Sequence, residues 1–154
     1  MYTGDWKEDE QHGYGQEQWP DGAKYEGFYD QGRKHGRGKL IFPEGSYYDG
    51  EFAENEICGQ GKYYWPDGKH YEGQWYENKM HGVGVLTWPD QRQYEGEFVF
   101  DQREGAGTML WPDGRKYVGQ WSKGKQHGFG TYIKPNGKQR NGEWELGKKI
   151  RWVD

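Results

Sequence analysis

Aliphatic side chains are scarce in this chain. Valine, isoleucine and leucine together fill only 13 of its 154 positions, and phenylalanine adds 6 more. A share this low falls in the range of disordered chains, yet the net charge is only −4 and 18% of the residues are aromatic, which disordered chains do not show. The sequence therefore excludes an ordinary aliphatic core and predicts a fold that packs on aromatic rings and glycine backbone.

Cysteine and long hydrophobic runs are also lacking. The single cysteine, Cys58, excludes an internal disulfide and favours a reducing compartment. No apolar run approaches the ~18 residues of a membrane-spanning helix, and the acidic first ten residues do not resemble a secretory signal. Glycine or proline interrupts nearly every stretch of ten residues, so no helix of ordinary length can be placed. We therefore expect a cytoplasmic protein without helices.

What the sequence does contain is a repeat of 23 residues. Its opening motif, Tyr-x-Gly-x-aromatic, starts at residues 2, 25, 48, 71, 94 and 117, and a shortened seventh repeat occupies residues 140–154. Numbered from that tyrosine, glycine fills positions 3, 12 and 14 of all six complete repeats, and proline fills position 19. All 27 glycines fall at five repeat positions. This regularity predicts a single array over residues 1–154, with the seventh repeat as its cap.

Each repeat has the pattern of a β-hairpin. Positions 1–6 alternate aromatic or glycine with polar residues, which is typical of a strand with one buried face. Position 8 is always glycine, asparagine or aspartate, and this predicts a tight reversal with positive φ. Positions 12–18 then predict the second strand, and Pro-Asp-Gly at positions 19–21 predicts the turn into the next hairpin. We expect the rings of positions 1, 5 and 18 to lie flat over the strand glycines.

The predicted fold is all-β: an elongated, single-layer antiparallel sheet of tandem 23-residue hairpins, twisted and grooved. Segments such as Tyr71-Glu72-Gly73-Gln74-Trp75, followed by His-Gly-x-Gly and Pro-Asp-Gly, resemble the MORN (membrane occupation and recognition nexus) repeat along the whole chain. The resemblance implies a solenoid of hairpins that acts as a non-catalytic protein-interaction scaffold. It also implies a place in a cytoskeletal or ciliary axonemal assembly.

Two aromatic or apolar stripes are candidate binding surfaces. A sheet of one layer leaves part of its aromatic face wet, so we expect that face to form a groove for a peptide or helix, although its rings also serve the fold. The groove residues are Tyr48, Phe52, Trp65, Tyr71, Trp75, Trp88, Tyr94, Phe98, Trp111, Tyr117 and Trp121. Position 17 alternates onto the opposite face, and its stripe consists of Ile41, Tyr64, Leu110 and Ile133. Strand propensity alone explains this second stripe equally well.

Charge suggests a second class of partner. Residues 1–116 carry a net −9 and residues 117–154 a net +5. The basic end offers Lys123, Lys125, Lys138, Lys148 and Lys149 to anionic phospholipids or an acidic partner. The same asymmetry allows a head-to-tail homodimer. The overall acidity disfavours nucleic acid, and a carbohydrate or choline binder is a weaker alternative because such proteins are secreted.

The sequence contains no pattern that indicates a metal site, a phosphate-binding loop or a catalytic site. Four repeats have histidine at position 11 (His12, His35, His81 and His127), but equivalent positions lie about 9–10 Å apart, too far to share one metal ion. We expect turn histidines that stack on the neighbouring strand. The Gly-x-Gly elements lack the following helix that phosphate binding requires. We predict no cofactor, no metal site and no enzymatic activity.

Overall fold

The computed structural model describes residues 1–153, and these residues form fourteen β-strands. They are β1 (Tyr2–Lys7), β2 (Glu10–Gln18), β3 (Lys24–Asp30), β4 (Arg33–Ile41), β5 (Tyr47–Ala53), β6 (Glu56–Tyr64), β7 (His70–Tyr76), β8 (Lys79–Thr87), β9 (Gln93–Val99), β10 (Gln102–Leu110), β11 (Lys116–Ser122), β12 (Lys125–Ile133), β13 (Gln139–Glu145) and β14 (Lys148–Trp152). Residues 1–153 include no helix of the length and hydrophobicity that crossing a membrane requires.

Two compact units divide the chain, Met1–Lys79 and a second that begins at Met80. Within each unit every strand pairs antiparallel with its neighbours in sequence order, as in the pairing of Tyr48 with Tyr63 between β5 and β6. The predicted fold class, an antiparallel sheet of tandem hairpins, is confirmed. The seventh repeat also forms a hairpin, β13 with β14, although its second strand is shorter than the others.

The reversal inside each hairpin takes only two residues. In the β5–β6 hairpin these are Glu54 and Asn55, with φ values of 49° and 72°. Two successive positive φ angles define a type I′ turn, whose twist matches that of the flanking strands. The second strand therefore starts at repeat position 9, three residues earlier than the sequence predicted, because the turn ends at position 8.

A bulge follows the turn in the second strand. In the β5–β6 pair Gly50 faces Gly61 whereas Phe52 faces Ile57, so β6 accommodates two residues more than β5. The irregularity includes Gly59, whose φ is +68°. It brings the side chain of position 10 into the core, where Ile57 is only 7% exposed.

The turn between hairpins has the predicted geometry. The N–H of Gly68 donates to the carbonyl of Trp65 at 3.1 Å, and the N–H of Trp65 donates to the carbonyl of Lys69 at 2.9 Å. Pro66 occupies the first corner, and Gly68 has a φ of +99°. The carboxylate of Asp67 accepts a further bond from the N–H of Lys69 at 2.9 Å.

The core of each unit is a row of tyrosines from repeat position 1. Tyr25, Tyr48, Tyr71, Tyr94 and Tyr117 are at most 1% exposed. Each donates its hydroxyl to the carbonyl three residues later, as Tyr48 does to Glu51 at 2.9 Å. These bonds satisfy a polar group that would otherwise be buried without a partner.

Rings from position 5 stand edge-on against the tyrosines. Phe52 lies 5.1 Å from Tyr48 at 89°, and Trp75 lies 5.6 Å from the same Tyr48 at 84°. Each tyrosine thus joins the ring of its own repeat to that of the next. The prediction that the rings of positions 5 and 18 also lie over the strand glycines fails at Gly61, where the Tyr48 ring fills that space. At Gly142, in the seventh repeat, the position-5 ring of Trp144 does lie against the glycine.

Candidate functional site: an aromatic row at the hairpin turns

The predicted groove residues separate into two classes of exposure. The tyrosines of position 1 are buried, and the rings of position 5 are no more than 6% exposed. These eight core residues are Tyr48, Tyr71, Tyr94, Tyr117, Phe52, Trp75, Phe98 and Trp121. Only Trp65, Trp88 and Trp111 are partly exposed. A partner can therefore touch the tryptophans of position 18, whereas the other eight residues are enclosed in the core.

The exposed rings lie where the second strand of each hairpin meets the Pro-Asp-Gly turn. We call them the turn-edge row: Trp19, Phe42 and Trp65 in the first unit, and Trp88 and Trp111 in the second. In the first unit Tyr63 contacts both Phe42, at 5.8 Å, and Trp65, at 4.6 Å. Tyr63 also reaches Trp75 at 5.8 Å, so the row is continuous with the core.

The indole N–H groups distinguish the row from the core. Trp75 donates to the carbonyl of Gly61 at 3.1 Å, and Trp121 donates to that of Gly107 at 3.0 Å. Within the described residues, the indole N–H groups of Trp65, Trp88 and Trp111 have no hydrogen-bond partner. The row consequently offers both apolar ring surface and polar donors to a ligand.

Cations from the turns lie over these rings. The Lys69 ammonium is 4.4 Å from the centroid of Trp65, and the Arg92 and Arg115 guanidinium carbons are 5.1 and 5.2 Å from those of Trp88 and Trp111. Each arginine is held by the aspartate two residues before it.

The aspartate of Arg92 illustrates this arrangement. Asp90 accepts a bond from the Arg92 side chain at 2.8 Å. The backbone N–H of Arg92, and then its guanidinium, lower the pKa of the Asp90 carboxyl. The carboxylate is therefore charged at neutral pH, and it fixes the arginine next to the Trp88 ring.

A half-buried arginine lies among the rings of the second unit. Arg103 lies 5.4 Å from Trp88, 5.0 Å from Trp121 and 5.8 Å from Tyr94, and burial lowers the pKa of its guanidinium. It occupies repeat position 10, where the first unit has Lys34 and Ile57. Lys34 likewise lies over Trp19, at 5.1 Å.

The opposite-face stripe is less open than its sequence pattern suggested. Ile41, Tyr64, Leu110 and Ile133 are all half-buried. Tyr64 is stacked between Tyr47, at 4.7 Å and 16°, and His70, at 5.3 Å and 20°. In this repeat the stripe forms part of a cross-strand ladder.

The five lysines proposed for anionic lipids do not form one patch. Lys123, Lys125 and Lys148 lie exposed at the type I′ turns of the last two hairpins. Lys138 belongs to the opposite edge, where it lines a depression of about 320 Å³ with Tyr132, Lys134, Gln139 and Arg140. The ammonium of Lys149 lies 4.3 Å from the centroid of Trp152.

Position 11 stabilises the neighbouring turn. Nδ1 of His81 accepts from the backbone N–H of Phe100 at 3.2 Å, and Nδ1 of His127 accepts from Leu146 at 3.1 Å. Among residues 1–153, no three His, Cys, Asp or Glu side chains cluster closely enough to hold a metal ion. The sequence did not reveal these caps, because their partners lie 19 residues away in the next repeat.

This chain belongs to the MORN-repeat family. The family's sequence model matches residues 2–24, 25–47, 48–70, 71–91, 94–114 and 117–139. No curated protein shows significant sequence similarity to the chain.

Solved structures resemble the chain in fold. The TCP domain of Drosophila melanogaster SAS-4 (dCPAP), in complex with a proline-rich motif of Ana2 (dSTIL), is 13% identical over 92% of this chain and 85% of that chain, with a TM-score of 0.51. The TCP10c domain of Drosophila melanogaster Sas-4 is 13% identical over 92% of this chain and 93% of that chain, with a TM-score of 0.47. The TCP10 domain of Danio rerio CPAP, in complex with a STIL peptide, is 16% identical over 92% of this chain and 68% of that chain, with a TM-score of 0.36. At these identities the likeness concerns the fold alone.

Proposed function

We propose that this chain is a non-catalytic scaffold that binds a peptide or helix of a larger assembly on its turn-edge row. The observation that carries the proposal is the pairing of partly exposed indole rings with indole N–H donors that have no partner in the described residues. In the first unit Tyr63 joins Phe42 and Trp65 to the core ring of Trp75, so little ordering is required there when a ligand binds.

The likeness to the SAS-4 TCP domain supports this proposal, since that domain is in complex with a proline-rich motif. A cytoskeletal or axonemal assembly in the cytoplasm is the setting that the MORN resemblance suggests. Homodimer formation through the charge asymmetry stays a prediction, as does the expectation that nucleic acid does not bind.

Panning a library of random displayed peptides against the full chain tests the function. We expect the selected peptides to lose at least about tenfold in affinity with Trp111→Ala, and to retain affinity with Leu110→Ala. These adjacent residues are both half-buried and face opposite sides of the sheet, so they form a matched pair. Thermal unfolding checks that both variants fold. Failure to select any peptide, or an equal loss in both variants, would contradict the proposal.

Anionic lipid binding is a second candidate, favoured by the exposed Lys123, Lys125 and Lys148 at one edge. Each cation near an anionic membrane contributes about 1 kcal/mol. The test is flotation with phosphatidylserine vesicles, in which replacing these three lysines by glutamine should abolish binding and Lys138→Gln should not. Flotation that is insensitive to salt, or unchanged by the triple replacement, contradicts this candidate.

A further inference from the structure

We propose that the turn-edge row of the first unit binds a basic, proline-rich segment in the polyproline II conformation, which crosses the strands with a proline at every third residue. This inference rests on the proposed function, because it names the chemistry of the peptide that the same surface takes. In this arrangement successive prolines of the ligand contact Trp19, Phe42 and Trp65.

The repeat distance of the row selects this conformation. Equivalent positions of consecutive hairpins are two strand spacings apart, about 9.4–9.8 Å. Because the Tyr63 ring lies 5.8 Å from Phe42 and 4.6 Å from Trp65, the centroids of these two consecutive rings are no more than about 10 Å apart. A polyproline II helix advances about 9.3 Å per turn of three residues. One ligand side chain per turn therefore falls on each ring.

Other peptide conformations do not match this distance. The side chains on one face of an extended strand repeat at about 6.6–6.8 Å, and an α-helix rises about 5.4 Å per turn. An extended strand loses register with the rings within one repeat. A helix meets a ring only at every second turn, so the side chains of the intervening turns have no ring to contact. A strand added at the sheet edge would need free backbone groups. Such edges are present at β1 and β14, whereas the turn-edge row crosses strand ends, where the Trp65 and Gly68 N–H groups are already bonded within the turn.

The chemistry of the row fits the same ligand. A polyproline II segment makes no internal hydrogen bonds, so its carbonyl groups need donors from the protein or from water. The indole N–H groups of Trp19 and Trp65 have no partner in the described residues and can supply them. Lys34 and Lys69 already lie over Trp19 and Trp65, so the proline rings of the ligand pack on the ring surface that these two cations leave exposed.

Charge at the first-unit turns favours a basic ligand. Position 20 provides three carboxylates, those of Asp21, Glu44 and Asp67. Position 22 provides one cation, Lys69, since Ala23 and Ser46 fill it in the other two turns. Lys34, which lies over Trp19, is a second cation on the row, so the three carboxylates exceed the cations by one. Arginine or lysine between the prolines therefore meets a small excess of negative charge.

Fluorescence anisotropy with labelled synthetic peptides tests the proposal on the full chain. The probe is a twelve-residue peptide that repeats Pro-Arg-Ala, and the control replaces every proline by alanine and keeps the charge. We expect the periodic peptide to bind at least about tenfold more tightly than the control. Equal affinity would overturn the proposal, because it would mean that charge alone drives binding. A further peptide with proline at every second residue should also bind more weakly.

Protein variants locate the peptide. Trp65→Ala should weaken binding of the periodic peptide by at least about tenfold, whereas Trp65→Phe, which keeps a ring and loses the donor, should have an intermediate effect. Tyr64→Ala, on the opposite face, should leave affinity unchanged. An equal loss with Tyr64→Ala overturns the proposal. If library peptides depend on Trp111 or Trp65 but lack proline periodicity, the proposed function stands and this inference fails.

Discussion

The ring of Tyr48 fills the space that a Cβ would need at Gly61 on the adjacent strand. A hydrogen bond of 2.9 Å from its hydroxyl to the carbonyl of Glu51 fixes the ring there. Tyr94 has the same relation to Gly107 in the second unit. Strand glycines normally weaken a sheet. Here each lets a phenol ring lie against the backbone, and the ring becomes fully buried.

Gly61→Ala is expected to destabilise the chain by about 2–3 kcal/mol. The new methyl group overlaps the Tyr48 ring, which is buried and cannot move aside as a flexible side chain would. Urea unfolding measures this cost. Gly68→Ala is the control, since no atom lies within 4 Å of its Cβ position and only its φ of +99° opposes alanine, at about 1 kcal/mol. Equal costs at the two sites would show that the ring does not constrain Gly61.

Gln91→Gly is expected to stabilise the chain by about 1 kcal/mol. Gln91 is the fourth-repeat equivalent of Gly68, and it holds a φ of +78° that glycine adopts without strain. Its side chain contributes only a long hydrogen bond of 3.4 Å to the Pro89 carbonyl. A rise in the urea midpoint checks this. Gln93→Gly, in strand β9, should lower the midpoint, and a lower midpoint for Gln91→Gly as well would contradict the argument.

Replacing Asn78 separates two effects in one residue. Its Oδ1 accepts a 2.7 Å bond from the N–H of Ile57 in the preceding hairpin, and its φ is +65°. Asn78→Gly keeps the backbone relaxed and should cost about 1 kcal/mol for the lost bond. Asn78→Ala adds backbone strain of about another 1 kcal/mol. Chemical unfolding of both variants gives the comparison, and identical costs would mean that the positive φ is not strained.

Stability should fall steeply above pH 10. Burial raises the pKa of Tyr117 to about 12, and also raises those of Tyr48 and Tyr94. Below pH 10 these tyrosines are neutral in both the folded and the unfolded state, so their contribution is complete. Between pH 10 and about 12 the unfolded chain ionises first, and each such tyrosine removes about 1.4 kcal/mol per pH unit.

Urea unfolding at pH 9, 10 and 11 measures this slope, with tyrosinate absorbance as a second readout. Tyr117→Phe is the matched variant, because it keeps the ring and removes one titrating group. Its slope should be shallower by about one proton per molecule. An unchanged slope would show that Tyr117 does not keep its proton in the folded state.

Much of the fold follows from the repeat pattern. Alternation at positions 1–6, the restriction of position 8 to residues that tolerate positive φ, and Pro-Asp-Gly predicted the strands and both turns. The sequence did not predict the bulge near Gly59, because an insertion in one strand is apparent only against its partner. For the same reason it did not place Ile57 and Met80 in the core.

The candidate site was predicted only in part. Sequence alternation places Tyr71, Trp75 and Trp65 on one face and cannot rank their exposure. Exposure depends on neighbouring repeats, since Trp75 is enclosed by rings such as Tyr48 and Tyr71 whereas Trp65 lies at the end of its strand. The cations over the tryptophans were missed as well, because the sequence shows charge and not the direction of a side chain.

The type I′ turns couple each hairpin to the one before it. The N–H of Asn55 donates to the carbonyl of Lys34 in the previous hairpin, and its side chain accepts from the N–H of the same Lys34. These two bonds form only when both hairpins are in place, so each hairpin stabilises its neighbour. Because the ribosome releases the N-terminal end first, each emerging hairpin meets a finished template, and the chain can fold vectorially while it is still being synthesised.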